Sequence, residues 1–145
     1  MKLISLLEKL EYTCLQGSTD QEVKNVIYDS RKVEEGSLFI CIRGAVVDGH
    51  KFVPDVVAKG AKVLIVEEAV EAPEDVTVIL VKDTRYAMAF ISAAYFGYPA
   101  EKLKTIGITG TKGKTTTTYM VKSILENAGY KVGLIGTIEA IIGDK

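Results

Sequence analysis

Gly107-Ile108-Thr109-Gly110-Thr111-Lys112-Gly113-Lys114-Thr115-Thr116 is the most informative stretch of this chain. It follows an apolar segment at residues 103–108 that has the composition of a strand, and the residues after it have helical periodicity. A strand, a glycine loop ending in Lys-Thr, and a helix are typical of α/β domains that bind phosphate groups. The sequence therefore predicts an α/β fold with an anion-binding loop in its last third.

Each residue type in this loop has a physical reason to face an anion. Gly110 and Gly113 let the backbone bend and bring its N–H groups close to phosphate oxygens without an intervening Cβ atom. The N-terminus of the following helix adds unpaired donors and the favourable end of the helix dipole. Lys114 supplies a positive charge for the terminal phosphates, and the Thr115 hydroxyl can ligate Mg²⁺.

The loop departs from the strict phosphate-loop template G-x-x-x-x-G-K-[ST]. That template places a glycine at position 108, where this chain has Ile108, and Gly107 comes one residue too early. A glycine turn that merely connects a strand to a helix is the alternative interpretation. The loop, the lysine, the threonine and the flanking periodicities agree with one another, which favours phosphate binding.

Length and composition indicate a globular chain. The 145 residues are 48% hydrophobic and 26% charged, and no apolar run approaches the roughly 18–20 residues of a membrane span. Glu8 interrupts the short apolar stretch at the N-terminus, so a secretory signal is not predicted. A net charge of −1 gives no support for a nucleic-acid surface. We expect a cytoplasmic protein that binds neither nucleic acid nor membranes. Cys14 and Cys41 are predicted to be free, buried small residues rather than a disulfide or metal pair.

The first two thirds of the chain show the periodicities of a complete small α/β domain. Helices are predicted at residues 3–10, 52–60 and 83–96, and apolar runs predict strands at residues 23–28, 37–42, 63–66 and 76–81. Asp83 is the predicted N-cap of the third helix. The buried face predicted for that helix is Tyr86, Ala87, Phe90, Ile91, Ala94 and Tyr95. The acidic residues between 67 and 75 are interpreted as a solvated connection.

Gly97-Tyr98-Pro99 marks the predicted boundary between domains at residues 1–98 and 99–145. The second domain is predicted to contain only a first β-loop-α-β unit, with a strand before the loop, a helix ending at Gly129 and a strand at residues 131–135. One crossover helix on a parallel pair leaves a sheet face and both edges uncovered. We therefore expect residues 101–145 to pack on the first domain, to pair with another chain through the truncated sheet, or to be poorly ordered.

The segment Thr109–Thr116 resembles the ATP loop of the Mur ligases and of their folylpolyglutamate-synthetase relatives. Segments of the first domain resemble the uridine-binding domain of those Mur ligases that add the third and later amino acids: Asp29-Ser30-Arg31, Gly36-Ser37-Leu38-Phe39-Ile40, Gly44 and Asp48-Gly49-His50-Lys51-Phe52. Gly133-Leu134-Ile135-Gly136-Thr137 is similar to the third-residue members of the family. The resemblance covers essentially the whole chain, and Lys112 stands where Asn is commonest.

The resemblance implies an ATP-dependent amide-bond ligase of peptidoglycan precursor synthesis. In such a ligase, ATP would phosphorylate a carboxylate of UDP-N-acetylmuramoyl-L-alanyl-D-glutamate, and the amine of a diamino acid would attack the acyl phosphate. Lys114 would be the catalytic lysine that stabilises charge during phosphoryl transfer, and Thr115 would ligate Mg²⁺.

The resemblance also implies two sets of binding residues. The positions that match the ATP loop are Gly110, Thr111, Lys112, Gly113, Lys114, Thr115 and Thr116. The positions that match the family's contacts with the uridine nucleotide are Tyr28, Ser30, Ala45, Val46 and Val47.

Two alternatives to a ligase stay open. The later elements of the family's central domain and its amino-acid-selecting C-terminal domain lie outside these 145 residues, so turnover by this chain alone is not expected. A non-catalytic module that binds a uridine nucleotide is one alternative. A small phosphate-loop NTPase or kinase is the other, although the segment Leu134–Thr137 offers no acid at a strand end. His50 is interpreted as a residue that positions the 44–52 segment, with a general base as the alternative.

Overall fold

The computed structural model describes residues 1–45 and 47–142 and confirms the predicted α/β class. Contacts divide the chain into two compact units, one spanning Met1–Leu103 and one beginning at Lys104. The turn of helix at Pro99–Lys102 lies beyond the predicted boundary and groups with the first unit. An ion pair of 2.9 Å between Lys9 and Glu101 ties this turn to the N-terminal region.

The first unit is built on a five-stranded sheet. Its strands are β1 (Thr13–Gln16), β2 (Asn25–Ile27), β3 (Ser37–Ile40), β4 (Val63–Val66) and β5 (Thr77–Leu80). Their order across the sheet is β1-β5-β4-β3-β2, with β2 to β5 parallel and β1 antiparallel to β5. The helices are α1 (Leu3–Leu6), α2 (Val53–Ala58), α3 (Thr84–Tyr95) and α4 (Pro99–Lys102), with short 3₁₀ turns at Ser30–Lys32 and Gly49–Phe52.

Two hydrophobic clusters cover the two faces of this sheet. Side chains alternate between the faces of a strand, so Val63 and Ile65 join a cluster with α1 and α3, whereas Leu64 and Val66 join a cluster with α2. All four residues are buried, which confirms the prediction that this apolar run is a strand covered on both faces. The first unit is therefore a three-layer α/β/α arrangement.

Three features of this unit differ from the sequence predictions. Helix α1 ends at Leu6 rather than at residue 10. Strand β1 was not predicted, because three of its four residues are exposed and its pattern carries no apolar alternation. Tyr86 is 60% exposed rather than part of the core. The buried face of α3 instead includes Thr84, and Tyr86 lies beside Phe90 on the outer side, with a ring-centroid distance of 4.7 Å.

Both cysteines are free thiols, as predicted, but the prediction that both are buried is wrong for Cys14. Cys14 is exposed on the edge strand β1. Cys41 is fully buried after β3, and this burial raises the pKa of its thiol to about 12. Thiolate is the reactive form of cysteine, so Cys41 serves as a small apolar core residue.

The second unit contains the helix α5 (Lys114–Asn127) and a hairpin of β6 (Gly133–Ile135) and β7 (Ala140–Ile142). The predicted strand before the loop is not found, since residues 104–110 lie in no strand or helix and pair with no strand of the described chain. The predicted parallel pair is likewise replaced by the antiparallel hairpin. Leu134 is buried, whereas Met120, Ile124 and other large apolar residues of this unit are exposed.

Within the part of the chain that is described, no helix has the length and apolar character needed to cross a bilayer.

Candidate functional site

The glycine loop of the second unit has the backbone that its sequence predicts. Gly110 and Gly113 have φ angles of 149° and 78°, in the region that favours glycine over residues with a Cβ atom. A Cβ atom on Gly113 would meet nothing within 4 Å, and one on Gly110 would meet only the Lys112 carbonyl at 3.8 Å. These glycines are therefore required by backbone conformation, and they leave open space above the loop.

The start of α5 offers donors to that space. Gly113 is the N-cap residue and provides no side-chain cap, and the first turn contains no acidic residue. The Lys114 ammonium group donates a hydrogen bond of 2.6 Å to the Gly110 carbonyl, so the lysine lies across the loop. Uncapped helix N–H groups, a helix dipole and a lysine together attract an anion.

The threonines of α5 fall into two pairs. The hydroxyls of Thr117 and Thr118 donate to the carbonyls of Gly113 and Thr115, at 2.9 and 2.7 Å respectively, and so serve the helix itself. Thr115 and Thr116 lie in the first turn, on the side of the loop. Among the threonines of α5, they are therefore the closest in sequence to the loop glycines.

A separate cleft of about 490 Å³ lies in the first unit. Its lining residues are Tyr28, Asp29, Ser30, Arg31, Ile42, Val47, Gly49 and Phe52. The structure thus brings together three of the predicted uridine-site residues, Tyr28, Ser30 and Val47. Ala45 is not among the residues that line the cleft, and Val46 lies outside the described residues.

A short turn after β2 forms one side of the cleft. The Asp29 carboxylate accepts the Arg31 backbone N–H at 3.0 Å, and the Arg31 guanidinium donates to both of its oxygens at 2.9 and 2.7 Å. These bonds hold the pKa of Asp29 well below its usual range. Aspartate commonly closes such turns, and here the turn fixes Ser30 between Tyr28 and Arg31 in the cleft.

The loop at residues 43–49 forms the other side. The Gly44 N–H donates to the Val47 carbonyl and the Gly49 N–H donates to the Ile42 carbonyl, both at 2.9 Å. A Cβ atom on Gly44 would lie 2.7 Å from the Val47 oxygen, and one on Gly49 would lie 2.7 Å from the Ile42 nitrogen. Both positions therefore require glycine because the backbones approach too closely for a side chain.

The cleft combines aromatic and apolar walls with a few polar groups. Tyr28 and Phe52 provide aromatic faces, Ile42 and Val47 provide apolar surface, and Ser30 provides a hydroxyl. Pockets of this composition bind flat, partly polar ligands, with the polar groups fixing their orientation. Sequence reasoning missed Phe52 and Ile42 as lining residues, although the quoted Asp48–Phe52 motif includes the first of them.

Beside this loop, three side chains come close enough to suggest a metal centre. One ligand atom from each of Asp48, His50 and Glu68 lies within 4.8 Å of the others. However, the Arg43 guanidinium is paired with both carboxylates, and the ring nitrogens of His50 bond to Asp48 and to the Glu67 N–H. Because these donor atoms are already engaged, the cluster is an ion-pair and hydrogen-bond network.

Glu67 belongs to this network, which corrects its interpretation as part of a solvated connection. Its carboxylate accepts hydrogen bonds from the Thr84 N–H at 2.8 Å and from the Thr84 hydroxyl at 2.7 Å. Thr84 is fully buried at the start of α3. Glu67 therefore joins the end of β4 to the beginning of α3.

A mostly parallel sheet with a cleft beyond its strand ends, and a glycine-lysine-threonine loop at a helix N-terminus, are features typical of α/β proteins that bind nucleotides. The sequence pattern of the Mur ligase family, catalytic domain, matches residues 22–96, and that of the Mur ligase middle domain matches residues 108–144. The chain belongs to the Mur ligase family, which confirms the resemblance seen in the sequence.

Curated relatives match along the whole chain. The UDP-N-acetylmuramoyl-L-alanyl-D-glutamate--2,6-diaminopimelate ligase of Clostridium perfringens is 54% identical over 145 residues, and that of Clostridium tetani is 48% identical over 148 residues. Each match covers 100% of this chain and 30% of the relative. The chain thus spans about 30% of the length of these ligases.

Solved structures of the family share the fold. MurF from Acinetobacter baumannii is 35% identical with a TM-score of 0.69, over 87% of this chain and 27% of its own. MurF ligase from Thermotoga maritima in complex with ADP is 26% identical with a TM-score of 0.54, over 72% of this chain and 24% of its own. A UDP-N-acetylmuramoyl-L-alanyl-D-glutamate--2,6-diaminopimelate ligase has a TM-score of 0.76 at 23% identity, over 100% of this chain and 29% of its own, and shows the fold alone.

Proposed function

We propose that this chain is the uridine-nucleotide-binding and ATP-loop part of a cytoplasmic ligase that adds a diamino acid to UDP-N-acetylmuramoyl-L-alanyl-D-glutamate. The observation that carries the proposal is the cleft that places Tyr28, Ser30 and Val47 together. The identity of 54% along the whole chain with a ligase named for this substrate and for 2,6-diaminopimelate supports the choice of ligand.

The cleft suits the nucleotide end of such a substrate. A uracil ring is flat and carries hydrogen-bonding edges, so the exposed ring of Tyr28 and the half-exposed ring of Phe52 offer stacking surfaces. Ser30 lines the same cleft, in the turn that the Asp29 carboxylate closes, and offers a hydroxyl for hydrogen bonding. Arg31 is 86% exposed in its side chain and bonded to Asp29, so it adds positive charge at the rim.

The glycine loop suits the phosphates of ATP. Two glycines with open space above them, an uncapped helix N-terminus and Lys114 form the set of donors that a triphosphate needs. With ATP bound, Lys114 would exchange its bond to the Gly110 carbonyl for one to the terminal phosphates, and Thr115 would ligate Mg²⁺. In the ligase, ATP supplies the phosphoryl group that activates the substrate carboxylate.

Calorimetric titration of the 145-residue chain with UDP tests the first half of the proposal. We expect binding by the unaltered chain and a loss of about tenfold in affinity for Tyr28→Ala and Ser30→Ala, since each removes one contact. Tyr86→Ala is the matched control, because Tyr86 is also an exposed tyrosine but lies on α3 away from this cleft. Absence of UDP binding, or an equal loss for Tyr86→Ala, would contradict the assignment of the cleft.

Titration with Mg-ATP tests the second half. Lys114→Met should abolish binding because it removes the only charge that lies across the loop in the described structure. Lys122→Met is the control, since Lys122 is on the same helix but paired with Glu126 at 2.7 Å. We expect the isolated chain to release no ADP from ATP, whether or not UDP-N-acetylmuramoyl-L-alanyl-D-glutamate and a diamino acid are added. The reason is that the chain spans 30% of the length of the ligases it matches. Substrate-dependent ADP release would overturn this expectation.

A further inference from the structure

We propose that His50 is a positioning residue that sets the geometry of the nucleotide cleft through Asp48, without touching the ligand itself. This inference rests on the proposed function, since it concerns affinity for the nucleotide. His50 does not line the cleft, whereas Val47 and Gly49, on either side of Asp48, do. Its Nδ1 faces Asp48 in the loop, and its Nε2 faces the Glu67 N–H at the end of β4.

The hydrogen bonds of His50 fix its tautomer. Its side chain is 5% exposed, and its Nε2 accepts the Glu67 backbone N–H at 3.0 Å. A nitrogen that accepts a hydrogen bond cannot carry the proton, so the proton of the neutral ring is on Nδ1. Nδ1 therefore donates to the Asp48 carboxylate, at 2.6 Å.

Glu67, His50 and Asp48 thus form a hydrogen-bonded relay. The Glu67 end of this relay, beside the sheet, is rigidly held. The residue that donates to Nε2, Glu67, directly follows β4, and its own carboxylate is bonded twice to the buried Thr84 at the start of α3. His50 is thus fixed to the point where a central strand and a long helix meet. Buried polar networks in which every member has a partner are rigid.

The loop side of the relay reaches the cleft wall. The same Asp48 oxygen accepts both the His50 N–H at 3.0 Å and the Nδ1 proton, and the Arg43 guanidinium lies 3.4 Å from the other oxygen. Asp48 therefore joins the two ends of the 43–49 loop to the buried ring. Its position determines where the backbone of Val47 and Gly49 lies, and so the width of the cleft.

Two conservative substitutions separate the two ring nitrogens. The side-chain amide nitrogen of an asparagine at position 50 lies near the place of Nδ1 and can donate to Asp48, but the shorter side chain does not reach the Glu67 N–H. A glutamine places its amide oxygen near Nε2 and can accept the Glu67 N–H, but it loses the bond to Asp48. Each substitution keeps one bond and removes the other.

The experiment is UDP affinity and thermal stability of the 145-residue chain with His50→Asn and His50→Gln. Both variants should be less stable than the unaltered chain. His50→Gln should lower UDP affinity about tenfold, the effect of losing a charge-assisted hydrogen bond, whereas His50→Asn should stay within about threefold. Equal affinities of the two variants would overturn the inference, because a purely structural role of His50 would affect them alike.

Two further measurements keep the inference testable. Asp48→Ala removes the acceptor from a partly exposed position while keeping the bond between His50 and the Glu67 N–H, and it should reproduce the affinity loss of His50→Gln. Ile91→Val removes one buried methyl group from the middle of α3, away from both the cleft and the start of the helix, and should lower stability but leave UDP affinity unchanged.

The failure of the proposed function is distinguishable from the failure of this inference. If the unaltered chain does not bind UDP, the proposed function is wrong. The position of the cleft wall can then be followed by NMR through the backbone amide resonances of Val47 and Gly49. Those resonances should shift more in His50→Gln than in His50→Asn. Equal shifts in the two variants would overturn the positioning role.

Discussion

Asp48 shows how one carboxylate connects local chemistry to stability. It accepts the backbone N–H and the ring proton of His50, and it lies near the Arg43 guanidinium. These contacts lower the pKa of Asp48 from its ordinary value of 3.8. Because the folded chain binds this proton less tightly than the unfolded chain, the ionised carboxylate stabilises the fold above the ordinary pKa. That contribution is lost as the pH falls through the lower, folded-state pKa.

The pH dependence of Asp48→Asn tests this linkage. We expect the variant to be less stable than the unaltered chain at pH 5, where carboxylates are ionised in both states. The difference in the free energy of unfolding should then shrink as the pH falls below 3.8, the ordinary pKa of this group. Urea denaturation of both chains at pH 5, 4 and 3 measures the difference. A difference that stays constant over this range would contradict the prediction.

The residues of the cleft were easier to predict from the sequence than the hydrogen bonds that join Asp48, His50, Glu67 and Thr84. Tyr28, Ser30 and Val47 were predicted because the family resemblance points to them: Ser30 and Val47 match its positions, and Tyr28 lies beside Ser30. Glu67 and Thr84 are 17 residues apart, and their bond exists only because β4 and α3 meet in the fold. No local pattern could have predicted that bond.

Among the elements, α3 has the clearest start signal. The Asp83 carboxylate accepts the Tyr86 N–H at 2.9 Å, which confirms the predicted N-cap. Replacing an aspartate N-cap with alanine typically costs about 1 kcal/mol. We therefore expect Asp83→Ala to lower the free energy of unfolding by about 1 kcal/mol in urea denaturation.

A matched control comes from α2. Asp55 also lies in the first turn of a helix, but it makes only an exposed pair with Lys59 among the described bonds. Such pairs contribute little, so Asp55→Ala should change the free energy of unfolding by less than about 0.5 kcal/mol. Equal losses for the two variants would show that the cap of α3 has no special role.

Strands were predictable where burial decides them and unpredictable where pairing decides them. The buried runs at β4 and β5 are continuous and apolar, and both were predicted. Strand β1 is mostly exposed and exists because it pairs with β5, about 60 residues away. The segment at residues 104–110 has a strand-like composition, but no strand of the described chain pairs with it.

The chain as a whole has an uneven distribution of buried surface. Both hydrophobic clusters lie within the first unit. Helices α3 and α5 are similar in length, with 12 and 14 residues, yet α3 has four buried residues and α5 has none. Local opening is easiest where few apolar contacts are buried.

Hydrogen exchange followed by mass spectrometry tests this difference. We expect the amides of α5 to exchange far faster than those of α3, because the apolar side chains of α5 are at most partly buried. The same measurement at high chain concentration tests the prediction that residues 101–145 pair with another copy, because pairing would slow the exchange of α5 as the concentration rises. Protection of α5 equal to that of α3 at low concentration would contradict the expectation.

Strand β2 lies at the edge of the sheet, and the cleft begins at the residue that follows it. Because β2 has a neighbouring strand on one side and none on the other, a ligand beside it is enclosed on the first side and free on the second. A long ligand can therefore be recognised at one terminus while the rest of it reaches beyond the sheet to a distant reaction centre. Under the proposed function, selectivity for the nucleotide end of the ligand and chemistry at its other end would then evolve separately.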